Sequence, residues 1–132
     1  MSGIIRSNSE RIRYCSAILF RKIPGLRRRP GGCLHLTGIA FGDSFVLASL
    51  PSEPFTEIGL AVRKDIFAGK CCMITALANG TGTYTNESGY IPNAWNYGRG
   101  GCEDAPRSNP YSRTTASRIL CKYRELAASL EP

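Results

Sequence analysis

Histidine is almost missing from this chain of 132 residues: His35 is the only one. None of the six cysteines (Cys15, Cys33, Cys71, Cys72, Cys102 and Cys121) stands at C-x-x-C spacing from another. With one histidine and no paired thiols the ligand pattern of a zinc site is not met, and neither a metal nor an organic cofactor is expected. Long apolar runs are missing too. The most apolar stretch, residues 33–50 (CLHLTGIAFGDSFVLASL), is broken by Gly38, Gly42 and Asp43, so no transmembrane span is expected. Leu, Ile, Val and Phe together make about 22% of the chain, just above the roughly 20% below which a chain stays disordered. Patterns that chemistry demands are also lacking. His35 with Asp43, or Glu103 with Asp104, can be assembled into a site only on paper, and adjacent carboxylates are usually solvated loop charges. The chain therefore reads as non-enzymatic, with His35 a strand residue.

What is present is positive charge, placed unevenly. The net charge is +7, and residues 1–30 carry all of it: Arg6, Arg11, Arg13, Arg21, Lys22, Arg27, Arg28 and Arg29 stand against Glu10 alone. This asymmetry marks residues 1–30 as a basic N-terminal arm or targeting segment. In residues 1–23, Ile5, Ile12 and Leu19 recur at seven-residue steps with arginines beside them, which predicts a basic amphipathic helix. A solvated tail, a membrane-surface helix and an organellar transit peptide are the alternative readings. Arg27, Arg28 and Arg29 before Pro30-Gly31-Gly32 form a break, read as a linker, a protease-accessible site or a short basic patch for nucleic acid.

Residues 31–78 read as a small mixed segment. Two strands, 34–41 and 44–50, are expected to turn at Gly42-Asp43. Pro51 to Pro54 is a turn, and Thr56 is placed to cap a helix over 57–67 with Ile58, Ala61, Val62 and Ile66 on one face. Residues 71–78 fit a strand or a helix. Cys71 and Cys72 are neighbours and so poorly placed to bridge each other. Residues 79–89 are a polar linker, in which Asn79 and Asn86 open two N-glycosylation triplets.

Residues 90–132 hold the segment-level pattern. Tyr90 to Cys121 is rich in turns and aromatics and is bracketed by Cys102 and Cys121. Tyr90-Ile91, then Cys102 seven residues before Asn109, then Asn109-Pro110-Tyr111-Ser112-Arg113 and finally Cys121 resemble the rapid alkalinisation factor family of secreted cysteine-rich signalling peptides. The resemblance covers residues 90–121. Asn93 stands at the family's second tyrosine, Thr114-Thr115 stand at its Gly-Cys, and no cysteine lies between Tyr90 and Cys102, so two of four family cysteines are missing. In the family the first cysteine pairs with the second and the third with the fourth, so each bridge has lost one half. Cys102 and Cys121 can pair with each other, closing a loop worth roughly 3 kcal/mol of chain entropy, or recruit Cys71 and Cys72.

The resemblance implies a secreted signalling precursor acting by receptor binding. Its partners would be a cell-surface receptor kinase and co-receptor, with attraction to acidic polysaccharide. Tyr90, Ile91, Asn109, Tyr111 and Arg113 would make or position the contacts, constrained by a disulfide. The alternative is an intracellular basic protein, mitochondrial or otherwise, whose N-terminal arm binds nucleic acid or serves organellar targeting. Past the motif, Ile119, Leu120, Tyr123, Leu126, Ala127 and Leu130 repeat at three- and four-residue steps, predicting an amphipathic helix over 114–130 capped by Thr114 or Thr115. The expected architecture is a small single α+β domain, loop-rich and partly disordered, with short hairpins and two or three helices.

Overall fold

A computed structural model describes residues 2–6, 11–20, 33–78, 89–105, 108–109 and 111–131. They form a small α+β domain with a five-stranded sheet, a separate two-residue ladder and two α-helices. The strands are β1 (Ser2–Arg6), β2 (Arg11–Phe20), β3 (Cys33–Phe41), β4 (Phe45–Ser49), β5 (Glu53–Pro54), β6 (Cys71–Thr75) and β7 (Tyr90–Ile91). Helix α1 (Thr56–Ala61) runs on into a π-helical turn (Val62–Ile66), and α2 spans Thr115–Leu130.

The N-terminal helix expected over residues 1–23 is not formed. Ser2–Arg6 and Arg11–Phe20 pair as antiparallel strands, and β2 pairs along its length with β3, from Ile12 opposite Phe41 to Phe20 opposite Cys33. The seven-residue spacing of Ile5, Ile12 and Leu19 suits a helix. Alternation also runs through the same stretch, and pairing with the apolar β3 makes the strand the better burial. Residues 11–20 thus belong to the sheet. Arg27, Arg28 and Arg29 lie outside the described residues, as do Asn79 and Asn86.

The β3–β4 hairpin forms as expected, turning through Gly42 at φ +60°, where glycine carries no steric penalty. From β4 the chain crosses through α1 to β6, which lies parallel to β4 and completes the sheet order β1-β2-β3-β4-β6. Cys71–Thr75 is therefore a strand, a choice the sequence left open. The α1 helix begins after Phe55, and Thr56 is its first residue rather than its cap; no side chain caps it.

The core lies between one face of the sheet and α2. Leu34, Leu36 and Ala40 of β3, Val46 and Ala48 of β4, and Cys72 of β6 are buried toward Ile119, Tyr123, Leu126 and Leu130 of α2. Alternation dictates the strand positions, and the three- and four-residue steps dictate those on the helix. Gly38 lets α2 come close: a Cβ there would lie 2.9 Å from Leu130 Cδ1. Thr114 occupies the α2 cap position, but its hydroxyl bonds Ser112 Oγ (3.0 Å) rather than the helix amides. Arg13 is buried at the sheet's end, where one guanidinium nitrogen donates to Gly42 O (2.9 Å) and to Asp43 Oδ1 (2.6 Å).

The other sheet face is also apolar. Tyr14, Ile39, Leu47 and Met73 form one row straight across four strands. Ile12, Phe41, Phe45 and Cys71 form the next, in which the rings of Phe41 and Phe45 lie 5.6 Å apart. These residues are half-buried or exposed.

Candidate functional site

The β5–β7 ladder stands apart from the five-stranded sheet. Glu53 N donates to Gly89 O (3.0 Å) and Phe55 N donates to Ile91 O (3.1 Å). Pro54, between them, has no N–H and occupies the position where none is needed. On the far side Tyr90 N donates to Ser108 O (2.9 Å). The strands are parallel, with Glu53 paired to Tyr90 and Pro54 to Ile91.

Residues paired across a ladder project to the same side, and successive residues project to opposite sides. Ile91 is wholly buried, so Tyr90 and Glu53 point outward together, which agrees with Tyr90 being half-buried and Glu53 exposed. They border an open cleft of about 380 Å³, lined also by Pro54, Phe55, Thr56 and Glu57. The edge of the Phe55 ring meets that of Tyr90 at 6.4 Å and 77°, which restricts the tyrosine ring.

The support behind this seam is a set of hydrogen bonds to distant segments. Ser52, next to Glu53, is buried and held at φ +55°, a left-handed conformation unusual for a residue other than glycine. Leu77 N donates to its carbonyl (2.9 Å), and its hydroxyl hydrogen-bonds the buried Tyr111 phenol. Tyr111 N in turn donates to Asn109 Oδ1 (3.1 Å). Contacts that link distant segments hold the strained residue in place.

Beside the seam, residues 93–105 form a glycine-rich loop. Asp104 Oδ2 accepts from Gly98 N (2.9 Å) and Gly100 N (3.3 Å), so its carboxylate serves the loop. Trp95 is 55% exposed, with the Arg99 guanidinium 4.9 Å from its ring centroid. Arg113 lies over Tyr97 at 5.7 Å and donates to Tyr97 O (3.3 Å). Tyr97 donates to Ser112 O (3.0 Å), and burial raises the pKa of its phenol, partly offset by the bond to Asn109.

The residues expected to contact a receptor do not share one surface. Tyr90 reaches the cleft and Arg113 is exposed, whereas Ile91, Asn109 and Tyr111 are buried and position the segment. Cys102 and Cys121 are both exposed free thiols, and Cys15, Cys71 and Cys72 are also free. Cys102 sits in a 3-10 turn and Cys121 on the solvent side of α2, and the two are not bridged. Glu53 and Glu57 were not among the expected site residues. The one local sign was an acid set between Pro51 and Pro54, which predicts a turn and says nothing about Tyr90.

Among the described residues, no three His, Cys, Asp or Glu side chains come together as a metal cluster, and no helix is long and apolar enough to cross a membrane. The seam offers oxygen donors only, which suit a hard cation or the hydroxyl and ammonium groups of a ligand. No family model matches the chain, and comparison with curated proteins and with solved structures gave no match.

Proposed function

We propose that the chain is a binding module that takes a polar ligand at the β5–β7 seam, through the Glu53 and Glu57 carboxylates and the Tyr90 phenol. The observation that carries this reading is the pairing of Glu53 with Tyr90, which aims a carboxylate and a phenol from distant segments into one cleft. The cleft is an acidic spot on a chain of net charge +7, so it favours cationic or hydroxyl-bearing groups over anions.

The test is ligand-observed NMR of the full chain with divalent cations, alkylamines and simple sugars as probes. Binding by one class, weakened about tenfold or more by Glu53→Gln and by Tyr90→Phe, is the expected result; tenfold corresponds to about 1.4 kcal/mol. If no class binds, or if wild type and variants bind alike, the reading fails.

A second reading, secretion and receptor recognition, draws on the exposed Trp95–Arg99 pair, since tryptophan and arginine are enriched at interface hot spots. Intact mass of the protein from its natural host separates the two. A trimmed, oxidised species containing residues 90–121 supports export, and a full-length species with six free thiols and no sugar rejects it.

A further inference from the structure

Strand β6 ends the sheet order, with β4 on one side and no strand of the sheet on the other. Cys71 N donates to Ser44 O (2.7 Å) and Leu50 N donates to Thr75 O (2.7 Å), so Cys71, Met73 and Thr75 turn their backbone groups toward β4. Backbone direction alternates along a strand, so the N–H and C=O of Cys72 and Ile74 point outward. Neither has a backbone partner on that side among the described residues. Natural sheet edges are commonly guarded by lysine, proline or a bulge. Within β6, Cys-Cys-Met-Ile-Thr, there is no lysine or proline, and its pairing with β4 runs without a bulge.

A cleft of about 220 Å³ borders the same edge at Ile74, separate from the one at the seam although both touch Phe55. Leu60 and Arg63, on α1 and the π-helical turn that continues it, face Ile74 and Ala76 across it, and Leu50 and Phe55 complete an apolar lining. Arg63 is the one charged residue of this lining. It is exposed and makes no ion pair among the described residues. Its guanidinium opposes the rise in the Cys72 pKa, which places it toward that end of the strand.

We propose that the β6 edge receives an extended, acidic segment of another protein as an added antiparallel strand, with an apolar side chain in the cleft and a carboxylate at Arg63. The backbone selects a peptide. Outward N–H and C=O groups repeating about every 6.6 Å match another extended backbone, and main-chain bonds of this kind carry strand addition. In an antiparallel pair the residue opposite Ile74 exchanges two hydrogen bonds with it and projects to the same face. Its side chain therefore enters the cleft that Ile74 lines. The residue two places on comes opposite Cys72, where an Asp or Glu meets the unpaired Arg63. Neither edge strand of this chain, β1 or β6, holds an acid for that position, so the segment is not that of a second copy added edge to edge.

The experiment is NMR titration of the isotope-labelled full chain with the blocked peptide acetyl-Thr-Thr-Leu-Thr-Glu-Thr-Thr-amide. The expected result is saturable binding with shifts centred on Leu60, Arg63 and Ile74, and hydrogen exchange at the Ile74 amide slowed at least tenfold. N-methylation of the peptide leucine, whose N–H faces β6, abolishes binding. N-methylation of the threonine after it, whose N–H faces away, leaves binding unchanged. Arg63→Glu, at an exposed position, weakens binding at least tenfold; should that variant not fold, Arg63→Gln decides by a smaller loss in the same direction. Absence of binding overturns the proposal, as does binding that ignores the Arg63 substitution or responds alike to the two N-methylations. An Ile74 amide already protected before peptide is added also overturns it, because the edge is then covered by another segment or by a second copy.

Discussion

The phenol of Tyr123, in the middle of α2, donates to the backbone carbonyls of Ser49 on β4 and Thr37 on β3 (3.2 Å to the latter), pinning the helix across two neighbouring strands. Tyr123 is wholly buried, and its ring also meets Phe67 edge-on at 6.4 Å. Burial drives its pKa well above the ordinary tyrosine range, only partly offset by the bond to Ser49. The folded state therefore favours the protonated phenol. Its contribution is complete below the unfolded value of about 10 and is lost as pH rises from there toward the folded value.

Urea melts at a series of pH values check this directly. Tyr123→Phe should cost about 1 kcal/mol at neutral pH through the lost hydrogen bonds. Above about pH 10 the wild type should lose stability more steeply than the variant, by up to about 1.4 kcal/mol per pH unit. Parallel slopes would show that the phenol is not the group held protonated.

Gly38 and Leu130 form a second coupled pair. A Cβ at residue 38 would crowd Leu130 Cδ1, the tip of a side chain in the last turn of α2, which can move. Gly38→Ala should cost about 1 kcal/mol, the low end of the range for overpacking. Leu130→Ala should cost about 2–5 kcal/mol through the cavity it leaves. The double variant should be more stable than the sum predicts, because the alanine methyl group enters the space that Leu130 vacates. Strict additivity in thermal melts would mean that the helix approach is set elsewhere.

The two sides of the β5–β7 ladder should respond oppositely to substitution. Glu53→Gln and Tyr90→Phe change side chains that face the cleft, and should stay within about 0.5 kcal/mol of wild type. Ile91→Ala opens a cavity in the core and should cost about 2–5 kcal/mol. If Glu53→Gln proved as costly as Ile91→Ala, the carboxylate would have a structural role in place of the ligand-binding one.

Thiol labelling reports on the cysteines. In the native protein Cys71, Cys102 and Cys121 should alkylate quickly, and Cys15 and Cys72 only on unfolding. Burial raises the Cys72 pKa, with Arg63 opposing, so its thiolate fraction is low and its reaction slower still. Cys15 is shielded by α2, its sulfur 3.0 Å from Ser129 Oγ. Protection of Cys102 and Cys121 that disappears only with reductant would establish a bridge between these two cysteines, a pairing other than the family's.

Several elements could be read from residue order alone, because their signals are local. The α2 helix follows from Ile119, Tyr123, Leu126 and Leu130, spaced on one face, and the β3–β4 hairpin from two apolar runs around Gly42-Asp43. Such patterns record which side of an element meets the core, and every α+β fold needs them. The helix α1 was equally legible from Ile58 and Val62, although not its start.

Tertiary structure decided whatever depended on a distant partner. Residues 11–20 have a pattern open to helix or strand, and pairing with β3 settled it by satisfying the backbone and burying Cys15 and Ala17 against α2. Asn109 and Tyr111 look like recognition residues in sequence, but the contact of Tyr111 with Ser52 makes them supports for the turn that carries Glu53. The union of Glu53 with Tyr90 needed the two-residue parallel ladder, whose register depends on hydrogen bonds between segments far apart in the chain. Composition determined the charge, the thin core and the single histidine; long-range backbone pairing determined which side chains share a surface.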